Sequence, residues 1–226
     1  LLVPLMRNSA CEHRIPWAPS VWPFQWRIAV SWLCGYLIFQ LFNPILFAYR
    51  GPVEAGQMGM SMNVCGTLMS MAVAWMNTKA APFGRMIALR DFRLLDQVFF
   101  RTLIQSTCAA VVACTAVWGT LVFLRACHIA FALRLLPPVP LALLMLATII
   151  NIVVFAEALY LRAHKQEKFM INSIVGALWM APAAFWLGRY YGAYGIAIGY
   201  LGCCVVIGLG FGSYTFMKWR RIWHAA

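Results

Sequence analysis

Residues 26–77 read WRIAVSWLCGYLIFQLFNPILFAYR, then GPVEAGQ, then MGMSMNVCGTLMSMAVAWMN. The run 28–49 holds 22 residues and no charge. At about 1.5 Å of rise per residue, a helix of that length crosses a hydrocarbon core of roughly 30 Å. Gly51-Pro52 then breaks the run, and the stretch after Gln57 is long enough to cross back. Two helices joined by a tight turn are therefore expected, and they place the chain in a membrane.

Composition agrees. Of the 226 residues, 63% are hydrophobic and 11% charged, and mean hydropathy is +0.77. Soluble domains carry about 25% charged residues. The net charge of +12 would suit nucleic acid, but the cations cluster between apolar runs. That distribution sets membrane orientation and meets anionic head groups, so no nucleic-acid partner is expected and membrane lipids are. The eight cysteines show no CxxC pairing and no histidines follow at zinc spacing, so packing residues are expected, with no metal and no cofactor.

Outward from the opening stretch, residues 1–25 are rich in Pro and Trp. Pro16, Pro19 and Pro23 point to an irregular interfacial segment. The first residue is Leu1, not Met, and a longer protein is expected. The expected fold is all-α, with six transmembrane helices at about 27–49, 56–78, 99–124, 139–161, 170–188 and 193–217 in a bundle over 26–221, then a tail, 222–226. Pro44 and Pro182 should kink their helices, and Gly51, Pro52 and Gly56 should form the first turn. Residues 78–101 carry Phe83, Met86, Ile87, Leu94, Leu95 and Val98 on one face, the pattern of an amphipathic surface helix.

Six spans sort the cations. One side receives Arg7, Arg14, Arg27, Lys79, Arg85, Arg90, Arg93, Arg101, Arg162, Lys165, Lys168, Lys218, Arg220 and Arg221; the other receives Arg50, Arg125, Arg134 and Arg189. Fourteen against four is a strong bias, and it predicts that both termini are cytoplasmic.

No P-loop, GxSxG, HExxH or strand-linked GxGxxG occurs, and only Glu157 of the six acids lies inside a span. An enzyme is not expected. The order of three features carries a resemblance instead: the turn Gly51-Pro52-Val53-Glu54-Ala55-Gly56, the amphipathic segment ending Asp91-Phe92-Arg93-Leu94-Leu95-Asp96, and a last helix with Gly192, Gly195, Ala197 and Leu201. Across about 26–221 the chain resembles the second half of polysaccharide flippases of the multidrug/oligosaccharidyl-lipid/polysaccharide exporter superfamily. It departs from them in length, because those proteins have two lobes and this chain has spans for one.

The resemblance implies flipping of a lipid-linked oligosaccharide across the inner membrane for cell-envelope polysaccharide, including lipopolysaccharide. It also implies a missing first lobe or a second chain to complete the central cavity. Amide and charged side chains would suit a pyrophosphate and sugars there. The candidates are Gln40, Asn43, Arg50, Asn63 and Asn77 on the first hairpin, with Arg27 at its start, and Asn151 and Glu157 further on. Each has a plainer reading. Arg27 and Arg50 would snorkel to head groups, Asn43 would cap the proline kink, Asn63 and Asn77 would bond between helices, and Glu157 would pair with Arg162. Two other functions remain open: a cation-coupled multidrug exporter of the same superfamily, and a non-transporting subunit of an envelope-synthesis complex.

Overall fold

The computed structural model describes residues 17–164 and 166–225, and among them every regular element is helical. In chain order these are α1 Trp17–Arg50, α2 Pro52–Asn77, α3 Ala80–Ala88, α4 Phe92–Ala126, a 3₁₀ turn Ala130–Arg134, α5 Pro138–Ala163, α6 Met170–Cys203, a π-helical stretch Cys204–Ser213, and α7 Tyr214–Ala225. Among the described residues four stretches are long and apolar enough to cross a membrane: Phe24–Arg50, Phe92–Ala126, Pro138–Ala163 and Met170–His224. The second helix of the opening hairpin is 26 residues long but is diluted by Glu54, Gln57, Ser61, Asn63, Thr67, Ser70 and Asn77.

Several boundaries differ from the expectation. Residues 1–16 lie outside the described region, but 17–25 are helical rather than irregular. Pro19 falls in the first turn of α1, where backbone N–H groups have no intrahelical partner, so its missing donor removes nothing. As expected, Pro44 lies inside α1 and Pro182 inside α6. The amphipathic segment is split. A short α3 buries Phe83, Arg90 adopts φ 57°, and Asp91 caps α4 by accepting from Leu94 N at 3.1 Å. The tail is not separate, because α7 runs to Ala225.

The turns fall where glycine permits them. Gly51 has φ 92° and Pro52 follows at the first helical position, where proline is well tolerated. Gly56 lies past the turn, exposed on α2. Within α6, Gly192 has φ 62° and ψ −145°, and the chain folds back there. A Cβ on Gly199 would meet Leu187 and Ala183, Cys203 Sγ lies 3.7 Å from Gly176 O, and Gly212 sits against Phe169 and Asn172. The two halves, 170–191 and the chain after 192, are thus antiparallel.

The first hairpin packs against this second one. Gly188 touches Ile45, and Tyr49 meets Phe185 edge-on at 5.7 Å. Phe39 and Phe42 meet Tyr200 at 5.5 and 5.7 Å. Arg50 donates to Tyr190 O, and Glu54 Oε1 accepts from Ala193 N at 2.5 Å. The carboxylate of one turn therefore satisfies the helix start beyond the other. A Cβ on Gly192 would lie 2.2 Å from that oxygen, so only glycine fits.

At this end lie Arg50, Arg125, Arg134 and Arg189. The opposite end carries the loops around 78–91 and 164–169, with most of the described cations. There Asp96 on α4 holds Arg220 of α7 at 2.5 Å and accepts from Tyr160 OH of α5 at 3.1 Å. Phe83, Phe99, Tyr160 and Phe216 fill the space behind this pair.

Candidate functional site

A cavity of about 440 Å³ opens between α1, α5 and the second hairpin, in the half of the bundle nearer the cation-rich end. Its walls come from 31–39 of α1, 151–162 of α5, 169–176 at the start of α6, and 200–208, with Met69 of α2 at one edge. Most of the lining is apolar. Trp32 and Tyr36 stand at the rim, 62% and 61% exposed.

Asn151 forms the inner polar point. Its Nδ2 donates to Tyr200 OH at 2.8 Å, to its own helix at Ala147 O (2.9 Å), and contacts Cys204 Sγ at 3.1 Å. Six residues further along α5, Glu157 is buried and accepts from Ser213 Oγ at 2.8 Å, while its Oε2 has no partner. Cys204 and Ser213 are the two ends of the π-helical stretch. Two polar contacts from α5 thus bracket ten residues of widened helix beside the cavity. π-helical segments are rare and occur often at functional sites.

Glu157 does not pair with Arg162, as its spacing suggested. Arg162 Nε goes to Glu167 Oε2 at 2.5 Å, because the chain after α5 turns back and brings Glu167, itself buried, against the helix end. Arg162 also lines the outer part of the cavity. Nearby, burial and then the charge of Arg27 push the Lys168 ammonium below its ordinary range, and Lys168 Nζ lies 3.8 Å from the centre of the Trp219 ring. At the C-cap of α5, His164 stacks on Trp223 at 4.0 Å, and burial holds its imidazole below its usual value.

The structure divides the sequence-predicted residues. Of them, Asn151 lines the cavity, and Glu157 lies buried behind it. Gln40, Asn43, Arg50, Asn63 and Asn77 are exposed and stand apart from it. Asn43 lies against α2, its Nδ2 3.2 Å from where a Cβ on Gly59 would be. On α2, Gly56, Asn63, Thr67, Ser70, Ala74 and Asn77 are all exposed and recur at helical spacing, a small and polar stripe that no other helix of the bundle covers. Arg27 is exposed beside Trp26, its guanidinium 5.8 Å from the ring.

Sequence reasoning passed over Ser31 and Asn172. Both line the cavity, both are buried (6% and 7% exposed), and Ser31 Oγ and Asn172 Oδ1 have no hydrogen-bond partner. Each sits four residues after a cation, Arg27 and Lys168. That spacing was a readable signal for a polar point one turn inside a charged rim. Among the described residues no group of three His, Cys, Asp or Glu side chains is placed to hold a metal ion. Compared with protein-family models, curated proteins and solved structures, the chain matches none of them.

Proposed function

We propose that this chain is one six-helix lobe of a membrane transporter that flips a lipid-linked oligosaccharide, completed by a first lobe or a second chain. The observation that carries this reading is the uncovered stripe on α2. Asn63, Thr67, Ser70 and Asn77 are exposed along a membrane-length helix, with Gln40 and Asn43 on the neighbouring helix. The Thr67 and Ser70 hydroxyls donate to their own helix, at Asn63 O and Thr67 O, but the Asn63 and Asn77 amides facing hydrocarbon are costly, so such a flank belongs against another bundle or a polar cavity. The stripe would become one wall of a substrate path between two lobes.

In this reading α1, α2, α4, α5 and the two halves of the α6 hairpin would each cross the membrane once, six passes in all. Six passes would then place the cation-rich end, and with it both termini, on the cytoplasmic side of an inner membrane. The test is transfer of a fluorescent polyprenyl-diphosphate oligosaccharide across proteoliposomes holding the full-length gene product. Flipping that falls several-fold in Asn63→Leu and Asn77→Leu supports the reading. Wild-type proteoliposomes that flip no faster than empty vesicles overturn it.

A second reading rests on Glu157. A buried carboxylate with one unpartnered oxygen would suit coupling to a cation in a multidrug exporter. It predicts drug transport that depends on a Na⁺ or H⁺ gradient and is lost in Glu157→Gln.

A further inference from the structure

The cavity between α1, α5 and α6 is separate from the α2 stripe, and its chemistry is ordered by depth. Cations from three segments stand near it: Arg162 at the end of α5 lines it, while Arg27 on α1 and Lys168 just before α6 each come one helical turn before a lining residue, Ser31 and Asn172. Arg27 and Lys168 are close enough for the charge of one to depress protonation of the other. Glu167 Oε2 already holds Arg162 Nε at 2.5 Å, and Lys168 Nζ lies 3.8 Å from the Trp219 ring, so a phosphate here would share these cations with those partners. One helical turn deeper, about 6 Å at 1.5 Å per residue, come Ser31 and Asn172. Their Oγ and Oδ1 are buried and unpartnered. Buried polar atoms are normally hydrogen-bonded, so these two mark where a partner belongs. The Asn172 oxygen can only accept, which requires a donor such as a hydroxyl. Deeper still the walls are mostly apolar, with Phe39, Met69 and Phe155, and the polar exceptions Asn151 and Tyr200 are bonded to each other.

Charge, then a hydrogen-bond donor, then hydrocarbon is the order of groups in one kind of amphiphile. We propose that the cavity binds a single-chain phospholipid bearing a free hydroxyl between phosphate and chain, with the phosphate at Arg27, Arg162 and Lys168 and the hydroxyl at Ser31 and Asn172. A volume of about 440 Å³ lies in the range of sites for one small molecule. A lipid with both backbone positions acylated has no hydroxyl at that depth. A polyprenyl diphosphate has none either, so the site differs in chemistry from the glycan-lipid path.

The test compares two lipids that differ by one hydroxyl: 1-palmitoyl lysophosphatidic acid and its 2-deoxy analogue, palmitoyl-1,3-propanediol phosphate. Retention on the detergent-purified full chain is measured by native mass spectrometry. The wild type should hold the hydroxylated lipid about tenfold more tightly, the upper part of what one hydrogen bond contributes. Asn172→Leu should bring the two lipids to equal affinity. Gly35 lines the cavity, and a Cβ there meets nothing within 4 Å, so Gly35→Leu should fill the space without disturbing the helices and weaken both lipids. Leu178→Ala, at a site 70% exposed and away from the cavity, should change neither. Unaltered helicity and elution volume establish that each variant is folded. Equal retention of the two lipids by the wild type, or full retention by Gly35→Leu, overturns the proposal. The site does not rest on the flippase reading: lipid selectivity with no glycan-lipid flipping would sink only that reading, and flipping without selectivity would sink only this one.

Discussion

Asn151 and Asn63 are the same residue near the middle of two 26-residue helices, yet the bundle uses them in opposite ways. Asn151 is enclosed between α5 and the second hairpin and donates to Tyr200 and Cys204. The Asn63 side chain is exposed, and only its backbone carbonyl is used, by Thr67 Oγ1 at 2.9 Å. The same division runs through the other polar residues of the apolar helices. Glu54, Asn151 and Glu157 join elements distant in sequence, whereas Gln40, Asn63 and Asn77 join nothing in the bundle. Lipid is as apolar as a leucine side chain, so helices in a membrane gain little from hiding apolar surface from one another. Packing and hydrogen bonds then carry the association, and the inner set is where that association can be broken.

The largest effect should come at the joint of the two hairpins. Gly192→Val puts a β-branched residue at φ 62° and drives a carbon into the Glu54 carboxylate. A loss of about 3 kcal/mol is expected from strain and overpacking together, read by SDS titration of the purified protein. Gly66→Val is the matching outer change. Gly66 is exposed and has open space around it, so a comparable loss there would erase the distinction between the two sets. Asn151→Leu comes next, with about 1–2 kcal/mol lost as Tyr200 and Cys204 lose their donor. A stability equal to wild type would mean that the contact with the π-helical stretch contributes nothing.

A smaller effect concerns the cation-rich end. His164 is held neutral by burial, with His224 nearby, and Asp96 and Arg220 surround Tyr160, whose carbonyl His164 contacts. Its folded-state pKa lies below the ordinary value of 6.5, so the unfolded chain binds the proton first. Stability from this site is complete above pH 6.5 and declines as pH falls from there toward the folded-state value. Hydrogen exchange of α7 should quicken over that window in the wild type and respond less in His164→Phe. The smallest effect on stability belongs to Asn63→Leu, within about 0.5 kcal/mol of wild type. Glycan-lipid flipping should nevertheless fall several-fold in that variant. Unchanged flipping would leave the α2 stripe without a transport role.

Much of the helical order was readable in advance. Gly51-Pro52 marks a break that no apolar run can hide, whereas the amphipathic segment expected over 78–101 is split at Arg90-Asp91 into α3 and the start of α4. Gly192 lay inside the expected turn between the fifth and sixth helices, and the fold-back occurs at that residue. The start of α1 was misread because Pro19 falls in the first turn, where its missing N–H costs nothing, although Pro23 lies at the seventh position of the same helix. The cavity was less readable. The spacing of Ser31 and Asn172 from Arg27 and Lys168 was legible, but nothing local to Tyr200 or Ser213 tells which partner each meets.

Sequence alone determined that the chain is helical and suited to a membrane, where its first turn falls and how its cations divide, because length, hydropathy and backbone restriction act within one segment. Tertiary structure decided that Glu54 reaches Ala193, that Glu157 meets Ser213 rather than Arg162, and that Asn151 is enclosed while Asn63 is left uncovered. Those outcomes depend on which faces of helices 49 to 139 residues apart come together. A hydrogen bond depends on a few tenths of an ångström between such faces, and no pattern along a single helix specifies that distance.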